Sequence, residues 1–365
     1  MSREKFEIYR TRRSLIAQSG RLALGSEPGL KKVIRKMSDD DLARHLIASS
    51  PEAAYGLDGL VIAEELFWES EGKHIIFPQS AGFIERLLNA KFDLSVVGGF
   101  QLPFPAFMLP MPLGFTHGGT HIRGVLVTSY RLNETREIML RYADYLQQPF
   151  NPVLSRGLGI DEQSCKRHFK VPEEAQNPVS EELKADEPLL CISLLDGNRD
   201  PVMSSTIRGS EGFSRIGDLL SASTPEEFSQ RLGPMKQANY RVRGLSREDE
   251  AAEFYAFKIV CALSVYNMAT NGDLLKPGFP GERAPHIEGR LDRKGSQSFT
   301  LGYGESMSEH HSAPGMHYRQ WHFRQLKDKR YYQGEYESKP VGSRWVFVRD
   351  TVVAARGADA YTLEE

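Results

Sequence analysis

The segment that most constrains the fold is a long helix predicted to begin at Ser246. The Ser246 hydroxyl can cap the helix, and three acids within 247–250 complement the positive end of its dipole. From Phe254 to Met268 the helix is apolar on every side, interrupted by Lys258. A helix without a polar face must be covered by other elements. We therefore predict a buried helix near 247–269, inside a mixed α/β core.

That apolar run of about 15 residues is shorter than the roughly 20 that a membrane span needs. The chain begins with a charged segment that does not have the pattern of a signal peptide. Its three cysteines are scattered, which disfavours a disulfide framework or a zinc knuckle. The sequence thus predicts a cytoplasmic protein that does not enter a membrane.

Patterns along the 365 residues predict an α+β fold in five segments. We expect a helical N-terminal portion, a core around the buried helix, and a small C-terminal β module. The predicted boundaries are 1–150 for an N-terminal α+β lobe, 151–187 for a surface connection, 188–276 for the central core, 277–316 for a flexible linker and 317–365 for the C-terminal β module.

Within the first segment, residues 3–18 have the pattern of a basic amphipathic helix, and His74–Pro78 that of a short strand. Four prolines make residues 102–112 extended, because proline excludes a regular helix. This stretch could accept a peptide by strand addition, or it could form an apolar seam inside the protein. The seam is the interpretation we favour.

The clearest functional signal lies near the C-terminus. Residues 315–333 contain five Arg or Lys residues, five aromatic residues and one acid, Asp328. Cations neutralise phosphates and release counterions, while aromatic rings stack on bases. Because the net charge of the chain is only −2, any contact with nucleic acid has to be local. We therefore predict a binding protein rather than an enzyme.

An alternative reading of the same segment needs no ligand. If residues 318–324 form one strand, Arg319, Trp321 and Phe323 share one face, and the other face carries His322 and Arg324. The first face could then be the core of a small sheet and the second an ordinary solvated surface. The excess of basic residues, which continues through Arg330, favours the binding interpretation.

Signals for catalysis or metal binding are weaker. His310, His311, His317 and His322 lie near no cysteine and do not form a zinc-binding spacing. Asp196 and Asp200 bracket the end of a predicted strand, and two acids in one loop do not define a two-metal site.

A second histidine pair, His117 and His121, flanks Gly118-Gly119 and precedes Arg123. These residues could serve a phosphate site, although such groups more often close a turn. We assign no catalytic residue, metal or cofactor.

The C-terminal segment resembles a phage and plasmid family, the second family of anti-CRISPR proteins directed at type V-A effectors. Its members carry a motif of the form His-x-Arg-x-Gly-His-Trp, followed by a strand with Arg-Trp. His317, Arg319 and His322 match this motif, and Arg344-Trp345 resembles the closing strand. Trp321 and Phe323 depart from it, in place of the glycine and the tryptophan.

The resemblance implies a mobile-element anti-defence protein. Its members recognise the amino-terminal peptide of the effector nuclease during synthesis and cause loss of its message. The implied partners are that peptide, or the ribosome–nascent chain complex, and RNA. From the residues and the resemblance together, the predicted binding residues are His317, Arg319, Trp321, His322, Phe323, Arg324, Lys329, Arg330, Tyr331, Arg344 and Trp345.

Two other functions stay open. One is a metal-dependent ribonuclease that uses Asp196 or the histidines, and cleavage of RNA that a chelator abolishes would distinguish it. The other is a plasmid or phage DNA-binding regulator, although the sequence has no helix-turn-helix pattern.

Overall fold

The structure of the protein is a computed structural model. It describes residues 5–50, 57–90, 101–161, 163, 188–195, 201–208, 219–232, 247–270, 272–281, 284–288, 295–302, 317–319, 322–342, 344–348 and 351–353. The chain is α+β, as the sequence predicts.

The helices of the described residues are α1 (Arg12–Leu24), α2 (Lys31–Ile34), α3 (Asp39–Ala48), α4 (Leu57–Ser70), α5 (Ala81–Leu88), α6 (Thr135–Gln147), α7 (Pro152–Leu158), α8 (Pro225–Leu232) and α9 (Arg247–Ala269). None of them is both long enough and apolar enough to cross a membrane.

The strands of the first half are β1 (Lys5–Glu7), β2 (His74–Pro78), β3 (Ala106–Leu109), β4 (Met111–Pro112), β5 (Thr116–His117), β6 (Thr120–His121) and β7 (Val125–Arg131). Those of the second half are β8 (Pro188–Leu195), β9 (Pro201–Arg208), β10 (Leu275–Pro277), β11 (His286–Glu288), β12 (Gln297–Leu301), β13 (His317–Arg319), β14 (His322–Gln325), β15 (Trp345–Val348) and β16 (Thr351–Val353).

A seven-stranded mixed sheet in the order β10-β12-β2-β3-β7-β8-β9 organises the molecule. β2 runs parallel to β12 and to β3, and the other neighbours are antiparallel. Side chains of successive residues alternate between the two faces. Ile76 and Phe107 lie in the core on one face, whereas Ile75 and Met108 lie in the core on the other.

The helix α9 belongs to the first of these cores, where it packs with α5, α8 and the sheet. Its residues are buried almost continuously from Ala252 to Tyr266, as expected for a helix without a polar face. The Tyr266 hydroxyl donates a 2.9 Å hydrogen bond to the carbonyl of Gly302, which follows β12. The prediction of a buried helix near 247–269 is confirmed.

The N-terminal helices α1, α3, α4, α6 and α7 cover the opposite face. Local signals fix the starts of three of them. Thr11 caps α1 and Ser38 caps α3, in each case by accepting a hydrogen bond from a backbone N–H three residues later. Asn151 caps α7, with proline at its first position.

Strand pairing between distant residues corrects two predictions, the helix over residues 3–18 and the flexible linker over 277–316. Residues 5–7 form β1 rather than the first turn of a helix, and β1 pairs with β11 and β4. Within the predicted linker 277–316, β11 and β12 pair with β1 and β2. These residues are therefore part of two sheets. The pairing is not local, because their hydrogen-bonding partners lie roughly 200 or more positions earlier in the chain.

The predicted lobes 1–150 and 188–276 also share one sheet, since β7 of the first pairs with β8 of the second. The part of the surface connection 151–187 that the structure describes contains α7. β3 lies between β2 and β7, and all four of its residues are buried. Its backbone groups are already paired, so the proline-rich stretch forms an interior seam and offers no edge at β3 for an incoming peptide.

Candidate functional site: two cationic surfaces

The described residues of the C-terminal β module form two antiparallel ladders. β13 pairs with β16, placing Arg319 opposite Thr351, and β14 pairs with β15, placing Arg324 opposite Val346. The sequence analysis considered the case in which residues 318–324 form one strand. The described residues of this stretch belong to two strands, β13 and β14, which have different partners.

The structure describes the predicted site residues to different extents. Trp321 lies outside the described residues. For His317, Arg319, His322 and Phe323 the strand positions are described, but their side chains are not. The side chains of Arg324, Lys329, Arg330, Tyr331, Arg344 and Trp345 are described.

Trp345 belongs to the protein core. Only 8% of its surface is exposed, and it joins the core that contains α9. Its neighbour Val346, on the opposite face of β15, is 37% exposed. The β14–β15 ladder therefore lies on α9 through the Trp345 side, and the face that carries Arg324 and Val346 points away from the core.

Arg344 is held inside the module by two tyrosines. Its guanidinium carbon lies 3.4 Å from the ring centre of Tyr336, and the same group donates to the carbonyl of Tyr331. The buried Tyr332 hydroxyl donates to Leu326 at 2.7 Å and accepts from the backbone N–H of Arg344 at 3.0 Å. These contacts assign Arg344 to the turn that closes the module.

The exposed part of the basic segment is a cationic rim, formed by Arg324, Lys327, Lys329 and Arg330. The carboxylate of Asp328 lies 3.4 Å from the Arg330 guanidinium, and both groups are mostly exposed. Arg330 also lies 4.7 Å from the half-buried ring of Tyr331. Four cations and one acid within seven residues give this rim a net positive charge.

A second cationic surface borders a cleft of about 570 Å³ between α2, α3 and the chain before α7. Its walls include Val33, Met37 and Phe150, and its cationic residues are Lys32, Lys36 and Arg44. Lys32 and Lys36 are exposed and have no ion pair with any described residue. The cleft combines apolar walls with a positive rim.

Arg44 anchors the wall of this cleft. It is 3% exposed and donates to the carbonyls of Gln148 at 2.7 Å and Pro149 at 2.9 Å. Its guanidinium also lies 3.3 Å from the carboxylate of Asp41, and its Nε has no hydrogen-bond partner among the described residues. Asp41, the one acid in the described lining of the cleft, is therefore engaged, and in this lining the positive charge exceeds the negative.

His45 joins α3 to the start of α7 below the cleft. Its Nδ1 lies 2.7 Å from the carbonyl of Asp41, and its Nε2 lies 2.7 Å from the backbone N–H of Asn151. Nε2 must accept from that N–H, so the neutral ring with its proton on Nδ1 fits both contacts. Burial lowers the pKa of His45, and the nearby Arg44 charge lowers it further.

We predict that His45 makes the protein less stable in weak acid. Because its folded-state pKa lies below the ordinary value of about 6.5, its contribution is fully present above that pH and is lost as the pH falls. The loss from this one group is at most about 1.4 kcal/mol per pH unit. Denaturant unfolding at pH 7.5 and pH 5 should show a smaller loss for His45→Gln than for the wild type. Parallel pH profiles would contradict this role.

The other histidine pair lies on a hairpin. His117 and His121 end β5 and β6, and Gly118-Gly119 between them has φ of +56° and +81°, which favours glycine. His121 Nε2 lies 3.3 Å from the buried Glu7 carboxylate. The His117 ring meets Tyr255 edge-on at 4.9 Å. These contacts close the hairpin against β1 and α9, in line with the turn interpretation.

Among the described residues, no three His, Cys, Asp or Glu side chains are grouped to hold a metal ion. His310, His311, Asp196 and Asp200 lie outside that part of the chain.

The cleft was missed by the sequence analysis. A usable signal existed, since Lys31, Lys32, Arg35 and Lys36 occur within six residues and no acid lies between Glu27 and Asp39. Arg44 and Phe150 carry no such signal, because only folding brings them beside this basic stretch.

A scan of protein-family models found no match to this chain, and searches of curated proteins and of solved structures found none either.

Proposed function

We propose that this protein binds RNA through the cationic rim of its C-terminal β module. We further propose that it is a mobile-element anti-defence protein that lowers expression of a host type V CRISPR nuclease. The observation that carries the first part is the exposure of Arg324, Lys327, Lys329 and Arg330 within one short stretch.

The physical basis is local charge. The whole chain is slightly acidic, so nonspecific coating of RNA is disfavoured, whereas four exposed cations in seven residues can neutralise neighbouring phosphates. The partly exposed Tyr331 ring beside Arg330 adds a surface on which a base can stack. Arg344 and Trp345 support this rim from within and do not need to touch RNA.

The biological role comes from the family resemblance. The resemblance implies that the target is the amino-terminal peptide of the effector, or the ribosome–nascent chain complex that displays this peptide. RNA contact by the rim would place the protein at the message during translation. The proposed function is binding, and we assign no cofactor to it.

The first experiment compares two variants that remove the same charge. Arg324→Ala/Arg330→Ala alters the rim, and Arg131→Ala/Arg136→Ala removes two exposed arginines elsewhere. For single-stranded RNA at low salt, we expect the rim variant to raise the dissociation constant roughly tenfold. The slope of log affinity against log salt should fall by about 1.4, since each phosphate contact contributes about 0.7. Fluorescence anisotropy across a salt series measures both.

An equal loss in both variants would show that the rim is ordinary surface. Two further outcomes would redirect the proposal. Cleavage of RNA by the pure protein that a chelator abolishes would favour the ribonuclease alternative, and tighter binding to one DNA duplex would favour the regulator.

The biological part is tested by co-expression with a type V effector that carries its native amino-terminal segment or a substituted one. We expect loss of effector transcript with the native segment alone, and recovery of transcript in the rim variant. Equal transcript levels with both segments would contradict the anti-defence role while leaving RNA binding to be judged by the anisotropy measurement.

A further inference from the structure

We infer that the cleft between α2, α3 and the start of α7 is a second binding site, which takes the phosphate monoester of a nucleotide. This site is separate from the cationic rim and goes beyond the RNA binding proposed above. The ligand could be a free mononucleotide or the 5′-phosphorylated end of a nucleic acid chain, since both present the same group.

The size of the cleft suits such a ligand. Its volume of about 570 Å³ falls within the 300–1,000 Å³ typical of small-molecule sites. Such sites combine apolar walls with a few polar groups that orient the ligand. Here Val33, Met37 and Phe150 supply the walls, and Lys32, Lys36 and Arg44 supply the polar groups.

The charges select an anion. Among the described residues that line the cleft, Asp41 is the only acid, and its carboxylate accepts from Ser38 Oγ at 2.9 Å and lies 3.3 Å from Arg44. The positive charges of Lys32 and Lys36 are left without a partner among the described residues. Two lysine ammonium groups at one rim suit a phosphate monoester, which carries close to two negative charges at neutral pH.

Arg44 adds a fixed cation to the cleft wall. The residue is 3% exposed and lines the cleft beside the two lysines. A buried cation held in one geometry can bind an anion without first being ordered. The carbonyls of Gln148 and Pro149 hold the guanidinium in place, so it contributes a fixed charge beside the lysines.

The test uses the intact protein and adenosine 5′-monophosphate, with titration calorimetry as the measurement. Lys32→Ala/Lys36→Ala removes the two charges at the cleft. Lys31→Ala/Arg35→Ala removes two exposed charges from the same stretch that do not line the cleft. We expect the cleft variant to weaken binding tenfold or more, and the control pair to weaken it less than threefold.

Three further ligands identify what is recognised. Adenosine, which lacks the phosphate, and inorganic phosphate, which lacks the nucleoside, should each bind at least tenfold more weakly. A short RNA with a 5′-phosphate, compared with one that has a 5′-hydroxyl, distinguishes a chain end from a free nucleotide. Preference for the phosphorylated RNA over the mononucleotide assigns the chain end, and the reverse assigns the free nucleotide.

The inference is overturned if the two double variants lose the same affinity, if adenosine binds as well as its monophosphate, or if neither phosphorylated ligand binds at millimolar concentration. The rim variant Arg324→Ala/Arg330→Ala should bind the mononucleotide like the wild type. Loss of binding at the cleft and loss of binding at the rim are therefore measured with different variants and different ligands.

Discussion

Replacing Arg13 with methionine is expected to lower the free energy of unfolding by about 3–5 kcal/mol. Arg13 is 5% exposed and lies 3.2 Å from Glu65, 3.0 Å from Glu69 and 2.5 Å from Asp40. Glu65 is fully buried, so the substitution leaves a carboxylate without its cation. Breaking a buried ion pair costs more than the pair contributes, because the remaining charge stays desolvated.

The pH dependence of this loss has a definite sign. Burial raises the pKa of Glu65 to about 7 even beside Arg13. A carboxyl with a raised pKa contributes most to stability below its unfolded pKa, and this contribution is lost as the pH rises through the folded pKa. Removing Arg13 raises the pKa of Glu65 further. The Arg13→Met deficit should therefore be larger at pH 8 than at pH 5.5, as measured by denaturant unfolding.

Two variants make this prediction specific. Arg12→Met breaks a partly exposed pair with Asp58, at 2.7 Å, and should cost at most about 1 kcal/mol. Adding Glu65→Gln to Arg13→Met should recover part of the loss, because the amide does not need to be neutralised. A cost below 1 kcal/mol for Arg13→Met would show that water or another group compensates Glu65.

Replacing Trp345 with alanine should lower the free energy of unfolding by a similar amount, about 3–5 kcal/mol. The side chain is buried against the core that contains α9, so its removal leaves a large cavity and separates the β14–β15 ladder from that helix. The matched control is Val346→Ala on the exposed face of the same strand, with an expected change of about 0.5 kcal/mol or less. Chemical denaturation compares the two.

Variants of Trp345 also distinguish a role in core packing from a role in RNA contact. Trp345→Phe keeps most of the apolar volume, and we expect it to bind RNA like the wild type at a modest cost in stability. If Trp345→Ala leaves stability unchanged while RNA affinity falls, the residue contacts RNA and its assignment to the core is wrong.

The two cationic surfaces differ in what they can recognise. The rim is exposed and lies on a turn between strands, which suits a flexible polyanion that meets several charges in succession. The cleft is a concave site with a buried arginine, which suits one compact anionic group. One chain could therefore hold an RNA strand at one surface and a phosphorylated ligand at the other.

Several elements could be predicted because their signals are local. The helix α9 follows from an acidic start and an apolar stretch, and β2 was predicted with the bounds that the structure has. The start of α3 is local too, since the Ser38 hydroxyl accepts from the backbone N–H of Asp41. In each case the residues that cause the structure are neighbours along the chain.

The errors share one physical cause. Residues 5–7 and the described strands of 277–316 have weak local preferences, and they become strands because β1 pairs with β11 and β12 pairs with β2. The rim could be predicted from composition, but the roles of Arg344 and Trp345 could not. A stacked arginine and a buried tryptophan are defined by what lies against them, here Tyr336 and α9.

The sequence by itself determined the buried helix, the α+β class and the basic character of the C-terminal stretch. All three depend on the kind and order of adjacent residues. The tertiary structure alone decided which cations stay exposed, which are enclosed, and how Lys32, Arg44 and Phe150 come to line one cleft. The reason is that charge and hydropathy belong to single residues, whereas a site is a set of distances between segments that only the folded chain brings together.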